Sequence, residues 1–491
     1  MMISLGVDIG GTGCKCVAYA DDGRLLSESY REYPLAAGTV DLPPQVLTHA
    51  VFAVIRDCAA ALPGRERAQI AAVTVSSFGE SFVAVDREGR DIGDILLYFG
   101  QSDGDAFRRV VAKVGEETFR RICRILPDAS YSLSKMLRTA ELSDRPVWKY
   151  LFVAGYLCYR LSGETCTDVS LACRSLLFDV GRGDWSDELL AASGIDRAQL
   201  PQVVPTGTAV GRLLPDVAAA LGLPETTAVV IGAHDQIVNA LGAGVTVPGE
   251  AADTSGTCEC LTPLFAAAPT SPSFVGDNFA TVPYLCGRGY VTYAYNVSAG
   301  SVVRWFRDAL AAPMKRPGEN LYRILDESTP DGPTSLVVLP FLQGMGGTPD
   351  VRADATGMIA GLTTATRLPD LYKAVMEGIT YEMRYNMERL AGAGVAPTRL
   401  YACGGGARSA VWLRIKADIL GCDILPVTSE ETGAMGSAIL GFAAVTGQSP
   451  FAIAPAFVSH GEAVRPDPRH KEAYDRQYRL YKTLRTFYKE I

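Results

Sequence analysis

No Cys-x-x-Cys pair occurs among the twelve cysteines, which scatter singly apart from Cys14/Cys16 and Cys258/Cys260. With no secretion signal, that spacing reads as reduced, buried thiols in a cytoplasm rather than as a disulfide framework. The four histidines, His49, His234, His460 and His470, are too dispersed for a zinc site. The formal net charge is −8 and there is no run of Lys and Arg. Nucleic acid and an anionic membrane surface are therefore excluded as partners. An anionic ligand has to be held by local backbone groups or by a metal. No stretch of roughly 18 apolar residues is present to span a bilayer. Nor is there a basic start followed by a long apolar stretch, because Asp8 interrupts it at once.

What is present is a globular composition, 48% hydrophobic and 20% charged, over 491 residues. That length is too great for one hydrophobic core, so two large domains are expected. The stretch "GVDIGGTGCKC" at 6–16 returns in altered form as "ADTSGTCEC" at 252–260. Aligning Asp8 with Asp253 also aligns Gly11 with Gly256 and Thr12 with Thr257, an offset of 253 − 8 = 245 residues. Each half then opens with the same order of apolar strand, glycine turn and alternating strand. In the first half, "GRLLSESYREY" extends this meander, "QVLTHAVFAVIRDCAAAL" has helical spacing and "IAAVTVSS" (70–77) is a buried strand. In the second half, "GYVTYAYNVSAG" and "TSLVVLPFL" read as strands and "LPDLYKAVMEGITYEMRYNMERL" as a long helix. "RLYACGGG" is a strand ending in glycines, and "SAVWLRIKADILG" and "TGAMGSAILGFAAVTG" are helices with a glycine at the C-cap position. The boundary falls in "GAGVTVPGE" (242–250), giving domains 1–245 and 246–491 that copy one supersecondary unit.

The glycine turn does not fit a P-loop, since Thr12 and Gly13 follow Gly11 where Lys and Ser or Thr are needed. It does not fit a Rossmann turn either, because "CKCVAYA" alternates like a strand and not like a helix. A tight hairpin remains. Its backbone N–H groups can form a small anion nest, and its glycines let the chain approach a polyphosphate. One such hairpin alone reads more readily as an ordinary turn.

Two hairpins with Asp, Gly and Thr in matching places resemble the actin-like ATPase superfamily. That resemblance implies two ribonuclease-H-like α/β domains with a nucleotide cleft between them. Asp8 would orient a water on Mg²⁺, a role that suits a hard carboxylate ligand. Gly11, Thr12, Gly13 and Lys15 would lie near the ATP phosphates from one side, and Ser255, Gly256 and Thr257 from the other. Further segments resemble the FGGY carbohydrate kinases: "YSLSKMLRTAEL", the run 151–195, "GAHDQIVNALGAG", "AVMEGITYEMR" and "CGGGARSAVWLRIKADILG". Together they cover nearly the whole chain in family order.

The resemblance makes Asp235 the catalytic base that takes the acceptor hydroxyl's proton. With a carboxyl pKa of roughly 4, proton transfer would be late and dominated by geometry. Read without the family, "HDQ" is equally a helix start with Asp235 as its cap. "SSFGESFVAVD" (76–86) stands where the family carries Q-M-H-G or N-Q-R-E-T, which makes Glu80 the main sugar ligand. Ser77 and Tyr98 join it, and Gln236 matches the Gln of the glycerol-kinase "D-Q", although a surface amide is the competing reading. "ILLYFGQSDGDAFRR" departs from the family's W-x-D-x-R, with Tyr98 in place of Trp, so no single sugar is carried over. Gly404, Gly405 and Ser409 match the adenosine segment.

The implied activity is ATP- and Mg²⁺-dependent phosphorylation of a terminal hydroxyl on a small keto-sugar, xylulose-like. The alternatives are a polyol kinase of the glycerol or erythritol type, or a non-metabolic actin-like ATPase. A hexokinase of the ROK type, which "DIGGTG" also resembles, would carry a cysteine-rich zinc cluster that is missing here. Family habit implies a homodimer.

Overall fold

A computed structural model describes residues 1–35, 38–97, 100, 104–315, 318–429 and 431–490. The chain opens with strands β1 (Ile3–Ile9), β2 (Gly13–Ala20) and β3 (Leu25–Glu32), followed by helix α1 (Pro44–Ala60) and strand β4 (Ile70–Ser77). Next come α2 (Ser132–Leu142), α3 (Val153–Ser162), β5 (Ala209–Arg212), β6 (Ala228–His234) and α4 (Asp235–Ala243). A second series begins with β7 (Glu250–Ser255), β8 (Glu259–Phe265), β9 (Ala294–Asn296) and α5 (Gly300–Trp305). It ends with α6 (Leu368–Gly392), β10 (Arg399–Cys403), α7 (Ala410–Leu420), β11 (Asp423–Pro426), α8 (Thr432–Thr446) and α9 (Lys471–Glu490).

Packing groups the chain into two units. The first holds Met1–Thr246, Ala280–Tyr290 and Glu431–Val458; the second holds Val247–Phe279, Val291–Glu430 and Ser459–Ile491. Packing order thus departs from chain order: α8 joins the first unit, although the sequence reading divides the chain at 245/246.

In the first unit the strands lie in the order β5-β6-β4-β1-β2-β3. The hairpin strands β1, β2 and β3 are antiparallel, while β4 and β6 run parallel to β1. A parallel neighbour needs a crossover, which the segment containing α1 supplies between β3 and β4. Three antiparallel strands followed by two parallel ones, in the order β3-β2-β1-β4-β6, is the ribonuclease-H-like arrangement, to which β5 adds an antiparallel edge.

Alternation along β1 sends Ile3, Leu5, Val7 and Ile9, all 0% exposed, to one face and Ser4, Gly6 and Asp8 to the other. The second face receives α8 at backbone distance. A Cβ on Gly6 would lie 1.9 Å from Ala434 O, and one on Gly441 would lie 2.2 Å from Ser4 Oγ. Helix α4 meets α8 in the same way, with a Cβ on Gly436 falling 1.9 Å from Val238 O. Glycine is required at these positions because no side chain fits between the elements.

The second unit repeats the topology, with β9-β8-β7-β10-β11 in order and β10 and β11 parallel to β7. Its core gathers Tyr372, Val375, Met376 and Ile379 on one face of α6 with Trp412 and Ile415 of α7 and Tyr474, Tyr478 and Tyr481 of α9. The i, i+3, i+4, i+7 spacing on α6 is what buries that face. Gly421 and Gly447 cap their helices in left-handed conformation, both at φ 71°.

Two expected strands come out differently. The stretch 289–300 holds two short strands, Tyr290–Val291 and Ala294–Asn296, rather than one, and the second of them pairs with β8. Val337–Leu339 pairs with Met358–Ala360 in a separate two-stranded sheet, ending at Pro340, which has no N–H to extend a ladder. All twelve cysteines are free thiols, with Cys14 and Cys16 buried in β2. No single helix among the described residues is long and apolar enough to cross a membrane.

Candidate active site

In the first unit, strand register collects chemistry at the ends of β1, β4 and β6. Asp8 stands opposite Lys15 on β2 and Ser76 on β4, and His234 stands opposite Ser77. Asp235 is the first residue of α4. The His234 Nδ1 atom accepts from Gln236 N at 3.3 Å and lies 3.0 Å from Asp235 Oδ1. While Nδ1 is used as that acceptor, Asp235 Oδ1 gets no proton from it. Oδ1 is buried without a hydrogen-bond partner, and so is Oε1 of the next residue, Gln236.

The Asp8 carboxylate is half-buried, with Oδ1 closed off and unpartnered. Burial, and then the negative charges of Asp235 and Glu431, push its pKa up to about 7 against the pull of Lys15 and His234. A Cβ on Gly433 would stand 2.5 Å from Asp8 Oδ2, so the N-terminus of α8 presses directly on this carboxylate. Lys15 is paired with Glu431, which immediately precedes α8, and also lies 5.7 Å from the Tyr30 ring centroid.

Three carboxylates around one lysine leave a negative excess that suits a divalent cation. Among the described residues no three His, Cys, Asp or Glu side chains converge to ligate a metal directly. That negative excess is compatible with a Mg²⁺ ion that keeps its waters, since Mg²⁺ sheds them reluctantly.

The turn between β1 and β2 closes with Gly10 N donating to Gly13 O at 2.9 Å, while Tyr33 N donates to Thr12 O at 2.9 Å. Thr12 is exposed and Gly11 half-buried, both accessible to a ligand. Gly13 has a different reason for being glycine, since a Cβ there would fall 2.5 Å from Arg31 O on β3.

Glu80 is buried and held with φ +61°, a left-handed conformation costing a non-glycine residue on the order of 1 kcal/mol or more. Its carboxylate pairs with Arg174 Nε, and its main-chain oxygen accepts from Lys135 Nζ at 2.9 Å. Arg174 in turn lies 4.8 Å from the Tyr131 ring centroid. Burial holds Lys135 at a pKa of about 8, with Glu80 pulling it back up. A Cβ on Gly79 would lie 2.7 Å from His234 Cδ2, which joins the Glu80 turn to the start of α4.

Ser77 is placed differently from the sequence expectation of a sugar ligand. Its hydroxyl donates to Phe78 O at 2.9 Å and accepts from Ala154 N at 3.2 Å, so it ties β4 to α3. Tyr98 lies outside the described residues.

In the second unit the matching hairpin has the same backbone plan and a different charge. The turn closes with Gly256 N donating to Cys258 O at 2.9 Å, and Ser301 N at the start of α5 donates to Thr257 O at 3.0 Å. Gly256 and Thr257 are exposed, whereas Ser255 is buried. Lys416 on α7 stands 2.5 Å from Asp253 Oδ2, 2.5 Å from Glu259 Oε1 and 2.5 Å from Ser255 Oγ. Burial pulls this lysine's pKa down, but the two carboxylates outweigh it and raise the pKa above the ordinary value. Asp253, the counterpart of Asp8, is thereby neutralised within the core.

Strand β10 brings Gly404 beside Ser255, where a Cβ on Gly404 would sit 2.8 Å from Ser255 O. Gly404 and Gly405 are exposed. Ser409 caps α7 by accepting from Trp412 N at 3.1 Å, and it donates to Asp326 Oδ2 at 2.8 Å. The second unit therefore gathers Ser255, Gly256, Thr257, Gly404, Gly405 and Ser409 around adjoining strand ends.

Sequence reasoning misses Arg174, Glu431 and Lys416. Arg174 carries a signal, a lone cation inside the apolar run "LACRSLLFDV", because such a charge is buried only with a partner. Nothing in the sequence says that the partner is Glu80.

The chain belongs to the FGGY family of carbohydrate kinases: the family's N-terminal domain matches residues 3–242 and its C-terminal domain residues 254–445. It is thus a phosphotransferase with an alcohol group as acceptor. The xylulose kinase of Bacillus subtilis (strain 168) is 25% identical over the whole of this chain and 98% of its own length. The glycerol kinase of Stenotrophomonas maltophilia (strain K279a) is 29% identical over 90% of this chain and 89% of that protein. A solved structure of a xyloylose kinase from Brucella ovis matches with a TM-score of 0.86 and 26% identity, covering 98% of both chains. These relatives bear different substrate names, so likeness fixes the class of reaction and not the acceptor.

Proposed function

We propose that this chain transfers the γ-phosphate of ATP to a terminal hydroxyl of a small keto-sugar, a pentulose or hexulose of xylulose-like form. The observation that carries the reading is the pair of buried, unpartnered acceptor atoms at the start of α4, Asp235 Oδ1 and Gln236 Oε1. A buried acceptor without a donor costs about 1–3 kcal/mol, and two neighbouring hydroxyls of one substrate would satisfy both. Glu80, joined to the same place through Gly79 and His234, offers a third group to the sugar chain.

In this reading the acceptor oxygen attacks the γ-phosphorus, the bond from that phosphorus to the β,γ-bridging oxygen breaks, and ADP leaves. Asp235 takes the hydroxyl proton late in that step. Catalysis would be mostly placement and charge neutralisation, and a bound Mg²⁺ would supply part of the neutralisation at the phosphates. Asp8 would hold that ion through water. Gly11, Thr12, Gly13 and Lys15 would meet phosphate oxygens, and Lys15 must leave Glu431 to do so. Ser255, Gly256 and Thr257 would supply the second turn, chiefly through Gly256 and Thr257, since Ser255 is already bonded to Lys416. Gly404, Gly405 and Ser409 would take the adenosine. The twelve free thiols fit a reducing compartment, and a cytoplasmic location goes with the reading.

Glu80 and Gln236 favour one second reading, a polyol kinase, because both fall at glycerol-kinase positions and glycerol kinases are among the relatives. A panel of ketoses, aldoses and polyols assayed with ATP and Mg²⁺ for ADP release separates the two. A ketopentose or ketohexose as best acceptor supports the first; glycerol or erythritol as best acceptor replaces it with the second. No release above the basal rate with any acceptor refutes both.

A further inference from the structure

We propose that Arg174 is a positioning residue that fixes the orientation of the Glu80 carboxylate and, through it, the hydroxyl pattern the site accepts. The inference rests on the reading of Glu80 as an acceptor ligand.

Glu80 is held at both ends. Its carboxylate is paired with Arg174 Nε, and its main-chain oxygen takes a hydrogen bond from Lys135 Nζ, which also donates to Leu97 O at 3.1 Å. The Arg174 and Glu80 side chains are each 11% exposed, so water competes weakly for either. In that setting a charge-assisted pair is directional as well as attractive. Rotation of the Glu80 carboxylate about its last bond would break the pair.

Arg174 is itself fixed. Its guanidinium lies over the Tyr131 ring, 4.8 Å from the centroid. Its stem runs under the Gly79–Glu80 turn, where a Cβ on Gly79 would come 3.1 Å from Arg174 Cγ. The same missing Cβ lets His234 approach, and His234 stands beside Asp235. One continuous set of contacts therefore sets the position of Glu80 relative to Asp235. A carboxylate placed this way accepts from hydroxyls in one arrangement and discriminates against epimers that present them elsewhere.

The experiment is steady-state kinetics on the full chain with the best acceptor from the panel and one epimer of it, for four variants. These are Arg174→Gln, Arg174→Lys, Glu80→Gln and the double variant Glu80→Gln/Arg174→Gln. Losing a charged hydrogen bond corresponds to about a 10- to 100-fold effect. The expected result is that Arg174→Gln raises the acceptor KM by about that factor, leaves the ATP KM within about twofold, and narrows the preference over the epimer. Arg174→Lys restores part of the loss, keeping the charge without the planar fork. The double variant is no worse than Glu80→Gln alone, because Arg174 acts through Glu80.

Wild-type acceptor KM and epimer preference in Arg174→Gln would overturn the inference, and so would losses that multiply in the double variant. If Arg174→Gln does not fold, Arg174→Lys decides: a raised acceptor KM with unchanged ATP KM supports the assignment, and an unchanged acceptor KM removes it. A wild type that phosphorylates no acceptor refutes the functional reading and this inference with it. An active wild type with an indifferent Arg174→Gln refutes the inference alone.

Discussion

Lys416 Nζ lies 2.5 Å from Asp253 Oδ2 in the second hairpin, whereas in the first, burial and then the charges of Asp235 and Glu431 push the carboxyl pKa of its counterpart Asp8 up to about 7. The repeat is one of backbone, and burial of a lysine in one copy has divided the roles. The Asp253 and Lys416 side chains are 0% and 2% exposed. Replacing Lys416 by methionine would leave Asp253 and Glu259 buried without a cation. Breaking a buried pair from one side costs about 3–5 kcal/mol. The Lys416→Met variant is therefore expected to unfold at a markedly lower temperature, or to fail to fold, in thermal denaturation at pH 7. A midpoint equal to wild type would show that the pair contributes nothing.

Gly436 tests the backbone contact between α8 and α4. An alanine in a helix interior is favoured over glycine by about 1 kcal/mol. Here the new methyl would sit 1.9 Å from Val238 O, and forcing room for it costs about 1–3 kcal/mol or more. Gly436→Ala is expected to lower the unfolding midpoint. Gly392, in the last turn of α6 with open space around its Cβ position, is the control and should tolerate alanine or gain from it.

Glu377 on α6 gives the molecule a pH dependence with a defined sign. Burial pushes its carboxyl up to about 7, against the hydrogen bonds from Thr334 and the charge of Lys373. The folded state keeps this proton from the ordinary value of 4.5 up to about 7, while the unfolded chain has released it. Folded protein binds more protons in that window, so stability falls as pH rises from about 4.5 to 7, by up to about 3 kcal/mol from this group. Glu377→Gln removes the dependence. Its unfolding midpoint relative to wild type should rise between pH 5 and pH 8; a constant difference across that range would contradict the assignment.

Much of this is legible in the sequence, for physical reasons. The alternation of Ile3, Leu5 and Val7 with Ser4, Gly6 and Asp8 dictates a strand with two different faces, and the glycines between Ile9 and Cys14 dictate a hairpin. The 3.6-residue spacing on α6 is equally plain. Less legible is anything that depends on which distant segment supplies a partner. The glycines of α8 announce close contact but not that β1 and α4 are the surfaces met. The Asp-Gly-Thr repeat predicts two equivalent turns, and only the placement of Lys416 shows that their charges differ. Glu80 stands out as a ligand by position, yet its counter-ion Arg174 lies 94 residues further on. Ser77 sits in the expected segment, but its hydroxyl is already used by Phe78 and Ala154.

The most direct test of the account is ADP release by wild type and Asp235→Asn with the best acceptor at saturating ATP and Mg²⁺. Asparagine keeps the shape of the side chain and cannot take the proton, and general-base catalysis contributes about 10²–10⁴-fold. The account predicts a kcat reduced by that factor, with acceptor and ATP KM values near wild type and an unchanged unfolding midpoint. An Asp235→Asn variant that turns over at the wild-type rate would remove Asp235 as the base and contradict the site proposed here.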